Sequence, residues 1–71
     1  MDVFDTLRSV IHEIAGTPVE KIVPESSLTE LVEDPFDREE LLLDIENRFD
    51  VLIPETDVAT VSDIAKLVIA A

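Results

Sequence analysis

Apolar side chains recur every three or four residues in three stretches of the chain. Val3, Phe4, Leu7, Val10, Ile11 and Ile14, with Asp5, Arg8 and Glu13 between them, predict a first helix that buries one stripe. Asp2 can cap its start and Gly16 can end it. A second long helix is expected from about Pro35 to Phe49, with Leu41, Leu42, Ile45 and Phe49 facing inward. Its start is well signalled. Asp34 offers an N-cap acceptor, Pro35 falls where a missing N–H matters least, and Asp37 places negative charge at the positive helix end. A last helix begins after Thr60, whose hydroxyl stands in capping-box spacing with Asp63, and it buries Val61, Ile64, Leu67 and Val68.

The intervening segments read differently. Thr17-Pro18-Val19-Glu20 predicts a single turn that Pro24 keeps short, and Ser27 with Glu30 predicts a capping box over Leu28 and Leu31. Residues 17–33 therefore read as an ordered loop pinned by Val19, Ile22, Val23, Leu28 and Leu31. Ile53-Pro54 breaks regular structure, and residues 55–59 allow a short third helix. The pattern predicts an all-α fold in one domain, residues 1–71: a small antiparallel bundle of three longer helices and one short one, with no strand.

Charge narrows the partners. Seventeen acidic against five basic residues give a net charge of −12, which disfavours nucleic acid and anionic membrane and favours basic protein surfaces. A hydrophobic content of 46% still allows a buried core, although self-repulsion should weaken it and salt should firm it. Cysteine is absent, which removes disulfides, thiolate nucleophiles and zinc–cysteine sites. The first residues lack a positively charged leader pattern and no apolar run is of membrane-spanning length, so a cytoplasmic protein without membrane insertion is expected.

The order Ser27-Leu28-Thr29-Glu30-Leu31, Asp34-Pro35-Phe36, Glu40-Leu41-Leu42, Phe49-Asp50-Val51-Leu52-Ile53-Pro54 and Thr60-Val61-Ser62-Asp63-Ile64 resembles an acyl carrier protein over essentially the whole chain. That family carries a 4′-phosphopantetheine arm on the serine of an Asp-Ser-Leu motif. The resemblance sets Pro35 at the attachment position, with Val32 where the family usually has glycine and Phe36 where it usually has leucine. A proline has no hydroxyl with which to form the phosphodiester. The remaining serines, Ser9, Ser26, Ser27 and Ser62, do not follow an aspartate, so no bound cofactor is expected.

Between residues 33 and 46 stand Glu33, Asp34, Asp37, Glu39, Glu40, Asp44 and Glu46 against Arg38 alone. Such a run is ordinarily a solvated helix face. The resemblance implies a docking surface for basic patches on partner enzymes, formed by Asp34, Phe36, Asp37, Glu40, Leu43 and Glu46. Asp44 reads as a solvent-facing residue or as a charge that narrows the partner range. Catalysis finds little support: His12, the single histidine, lies within the first helix away from any serine in a recognisable constellation, and no enzyme activity is expected. The one glycine, Gly16, is far from the acid clusters, which removes a calcium loop, and no metal site is expected. The apolar stripes permit, without requiring, an interior cavity for a free acyl chain.

Together these features imply a non-carrying, protein-binding or regulatory acyl-carrier-like module of fatty-acid, polyketide or related acyl metabolism. Its expected partners are a phosphopantetheinyl transferase, a synthase or an acyltransferase, and a monomer is the expected state. Two alternatives compete with that reading. One is a genuine carrier with its arm on another serine or at an altered site. The other is an acidic decoy that mimics nucleic acid.

Overall fold

The structure, a computed structural model, describes residues 2–70 and is all-α. Its helices are α1 (Val3–Ala15), α2 (Leu28–Leu31), α3 (Pro35–Phe49) and α4 (Val61–Ala70), with 3-10 turns at Val19–Lys21 and Glu55–Asp57. α1 packs against both α3 and α4, so it forms the spine of the bundle. The core draws Leu7, Val10 and Ile11 from α1, Leu41, Leu42 and Ile45 from α3, and Val61 and Ile64 from α4. Ile22, Leu28, Val32, Ile53 and Val58 close it from the connecting segments.

The helix ends follow the expected chemistry. Asp2 accepts a hydrogen bond from the Phe4 N–H, and Gly16 leaves α1 in the left-handed region at φ 77°, its N–H donating to the His12 carbonyl. His12 continues that cap, since its Nδ1 donates to the Thr17 carbonyl at 2.7 Å. At α4 the box closes in both directions. The Asp63 N–H donates to the Thr60 hydroxyl, and the Asp63 carboxylate accepts from the N–H groups of Ala59 and Thr60 at 2.9 and 3.1 Å. Those backbone donors, Ala59 foremost, hold the Asp63 carboxyl below its ordinary range.

Three details depart from the sequence reading. Residues 28–31 form a helical turn inside the expected loop, and Ser27 caps it without a side-chain bond because its hydroxyl pairs with that of Thr29 at 2.9 Å. The Ser27–Glu30 box is therefore not formed. The expected helix over 55–59 is a single 3-10 turn, since the chain is extended again at Val58. Val19 and Val23, expected to pin the loop, are exposed, whereas Val32 is buried.

No strand is present among the described residues, and an isolated antiparallel bridge between Ser27 and Thr60 ties the long loop to the start of α4. Around it, the Leu28 N–H donates to the Ala59 carbonyl at 3.0 Å and the Ser62 N–H to the Pro24 carbonyl at 2.9 Å. The loop thus obtains order from backbone bonds as well as from burial.

Candidate functional site

The candidate surface is built on α3. Asp34 adopts an extended conformation at φ −75° and ψ 123°, the geometry that a following proline favours, and its carboxylate accepts from the Phe36 N–H at 2.8 Å. Pro35 occupies the first helical position, where its fixed φ already suits the helix. Asp34, Pro35, Phe36, Asp37, Glu40 and Leu43 are all exposed. Phe36, 79% exposed, and Leu43, 52% exposed, are large apolar side chains left in water.

Helical geometry explains why these residues cannot be core. At about 100° per residue, Phe36, Glu40, Leu43 and Asn47 fall within about 60° of one another, directly opposite the stripe of Leu41, Leu42, Ile45 and Phe49. The α3 surface thus has a mixed apolar and acidic outer line. Asp37 and Asp44 lie on one flank of it, Glu39 and Glu46 on the other.

Two residues of the acidic run are engaged within the molecule. Asp44 pairs with Arg48 one turn on at 3.3 Å, and Arg48 also approaches Glu13 of α1 at 3.6 Å. Glu46, half-buried, accepts a bond from the Ile53 N–H at 2.7 Å. Asp34, Phe36, Asp37, Glu40 and Leu43 are thus exposed on α3 and its N-cap, while half-buried Glu46 has one oxygen bonded to the following loop.

Arg38 has a role that no periodicity revealed. Its Nη1 donates to the carbonyls of Val32 at 2.8 Å and Glu33 at 2.9 Å, while its Nε lies 3.7 Å from Glu55. One side chain thereby joins the segment before α3, α3 itself and the 3-10 turn at Glu55–Asp57. Its only sequence signal is a lone cation amid seven acids. Arg38 and Glu55 also border a cavity of about 210 Å³ whose apolar lining includes Leu28, Leu41, Leu42 and Val58.

Chemically, the surface offers carboxylates and apolar contacts and no nucleophile. α3 contains no serine, threonine, tyrosine or cysteine. Of the serines, Ser9 donates to the Asp5 carbonyl, Ser26 accepts from the Val23 N–H, and Ser27 pairs with Thr29; Ser62 lies in the first turn of α4. Among the described residues no group of three or more histidines, aspartates or glutamates could hold a metal ion. No described helix is long and apolar enough to cross a membrane.

The family model described as "phosphopantetheine attachment site" matches residues 5–70, which span all four helices. The chain belongs to this family. The acyl carrier protein of Lactococcus lactis subsp. cremoris strain MG1363 is 36% identical over 69 residues, covering 96% of this chain and 94% of that protein. The non-reducing polyketide synthase ausA of Penicillium brasilianum is 30% identical over 63 residues, which are 89% of this chain but 2% of that synthase. Members of the family are carrier proteins rather than enzymes, and they normally bear 4′-phosphopantetheine.

Proposed function

We propose that this acyl-carrier-like domain serves fatty-acid or polyketide synthesis by docking to partner proteins through α3, and that it bears no phosphopantetheine arm. The observation that supports the reading is the head of α3, where Asp34 caps the helix and Pro35, which has no hydroxyl, takes the first helical position; the family resemblance sets the attachment serine there. An arm of this kind attaches through an oxygen, and the residues here do not fit it. The local fold does not depend on that missing atom. Proline is favoured at a first helical position, so the sequence keeps the helix start while lacking the attachment group.

Support for docking comes from the outer line of α3. Asp34, Asp37 and Glu40 would meet a basic protein surface, while Phe36 and Leu43 would enter apolar recesses on it. Charge of this density mainly accelerates and orients encounter, so association should be fast and salt-sensitive with modest affinity. Enzymes that load, extend or transfer acyl groups are the partner class that the family supplies: transferases, synthases and acyltransferases.

The test is intact mass after incubation with coenzyme A and a permissive phosphopantetheinyl transferase, on this chain and on Pro35→Ser in parallel. The expected result is mass gain for Pro35→Ser alone. Gain on the native chain would restore a carrier function, with the modified residue then mapped. Charge reversal at Asp37 and Glu40 in the Pro35→Ser background should slow loading at low salt, and an unchanged rate would exclude this face.

A further inference from the structure

The outer line of α3 does not end at the helix. Glu46, Asn47, Asp50, Val51 and Leu52 border one surface recess, which places Leu52 beside Asn47, the last member of the line through Phe36, Glu40 and Leu43. Leu52 is 85% exposed, more than Phe36, Leu43 or any other exposed large hydrophobic. Isolated apolar residues on a surface are ordinary, but here Phe36 and Leu43 share one line of α3 and Leu52 borders the recess at its end. Phe36 and Leu43 are about 10 Å apart along the axis and Asn47 about 6 Å further, so the row extends over the length of the helix.

The backbone holds Leu52 there by identifiable bonds. Asp50 ends α3 in the left-handed region at φ 54°, turning the chain back. The Val51 N–H then donates to the Glu46 carbonyl at 3.3 Å, and the Ile53 N–H donates to the Glu46 carboxylate at 2.7 Å. Val51 is half-buried and Ile53 is 3% exposed. Leu52 lies between two anchored neighbours that turn inward, and its own side chain is left facing out.

We infer that Leu52 is a third apolar anchor of the docking surface, and that Glu46 is the positioning residue that fixes it. The inference rests on the docking reading given above and extends it. The occupant is a cationic protein surface with an apolar recess for each anchor. Charge complementarity argues for it, since Glu40 lies on the row itself, Asp37 on one side, Glu39 and Asp50 on the other, in a chain of net charge −12. Glu46 acts in this arrangement through the Ile53 amide rather than by meeting the partner's cations.

The experiment uses the native chain as a competitor, at fixed ionic strength, while a phosphopantetheinyl transferase loads Pro35→Ser from coenzyme A. Its inhibition constant reports docking alone. Leu52→Ser should raise that constant about five- to tenfold, the effect of losing one buried leucine contact. Glu46→Ala should weaken inhibition similarly, Glu46→Gln should restore it because the amide oxygen can still accept from Ile53, and Glu46→Ala with Leu52→Ser should be no worse than Leu52→Ser alone. Ile69→Ser removes an apolar residue that is 70% exposed at the end of α4 and should change nothing. Failure of Pro35→Ser to be loaded, or of the native chain to compete, would reject the docking reading and this inference with it. Competition that weakens with Leu43→Ser but stays within twofold for Leu52→Ser, or that weakens equally for Ile69→Ser, would overturn the third anchor and leave docking through α3 intact. Equal weakening by Glu46→Gln and Glu46→Ala would overturn the positioning role.

Discussion

At the scale of single residues, Asp50 is the clearest point of local conflict. It is the one non-glycine residue with positive φ among those described, and it closes α3 through the bond from its N–H to the Glu46 carbonyl. Aspartate tolerates this region better than most residues, yet a side chain there still costs stability, and a negative charge at a helix C-terminus opposes the helix dipole. Asp50→Gly removes both penalties, against which stands the greater freedom glycine gives the unfolded chain. The first two effects should win, raising stability by about 1 kcal/mol in urea unfolding. Asp50→Asn, which removes the charge and keeps the side chain, should recover only part of the gain. A loss of stability on Asp50→Gly would mean that the Asp50 side chain itself holds the turn. Gly16 at the end of α1, at φ 77°, has already adopted the solution that Asp50 lacks.

At the scale of elements, Arg38 is the residue whose loss should be felt furthest. Its side chain is 19% exposed, and the guanidinium supplies donors to two carbonyls that precede α3. Arg38→Met retains the packing of the aliphatic stem but leaves both carbonyls without that donor, and should destabilise the fold by about 2 kcal/mol, read as a lower urea midpoint at unchanged slope. Arg38→Lys should fall between, because an ammonium cannot span both carbonyls and Glu55 with a planar fork. An unchanged midpoint for Arg38→Met would show that α2 and the cap at Asp34 alone position the helix.

This residue also marks where sequence reading stopped. The long helices were legible because each carries its own signals: Asp2 and Gly16 bound α1, Asp34-Pro35 opens α3, and Thr60 with Asp63 opens α4. Val32 and the turn at Leu28–Leu31 were not, because four residues are too few to show a helical period and the Ser27 hydroxyl had an alternative partner in Thr29. Of the candidate surface, spacing alone placed Phe36, Glu40 and Leu43 on one side of α3, whereas Asp34, Asp37 and Glu46 entered through the family resemblance. The contacts of Arg38 with Val32 and Glu33, and of Glu46 with Ile53, join side chains to backbone groups across loops, and periodicity carries no information about those. One hint existed: Glu46 places an acid in the last turn of α3, where the dipole prefers a cation and Arg48 stands.

At the scale of the whole molecule, charge decides how firmly the bundle is held. The net charge of −12 is confined to a body of 27 × 25 × 19 Å. At 0.01 M ionic strength the Debye length is about 30 Å, longer than any dimension of the molecule, so every carboxylate repels every other; near 1 M it is about 3 Å and only adjacent pairs interact. Folding brings these charges together, and unfolding relieves them. Both the thermal midpoint and the urea midpoint at neutral pH should therefore rise steadily between those salt concentrations, most steeply at the low end. The few ion pairs, such as Arg48 with Asp44 and with Glu13, are solvent-exposed and would be weakened by the same salt, but such pairs contribute little and net repulsion should dominate. Sodium chloride and sodium sulfate compared at equal ionic strength separate the causes. Screening predicts equal stabilisation by the two salts below about 0.2 M, whereas exclusion of sulfate from the protein surface would give sulfate the larger effect throughout. Equal curves would also fix the condition for measuring docking: the salt that firms the bundle is the salt that weakens attraction to a basic partner, so binding and stability should shift in opposite directions along a single titration.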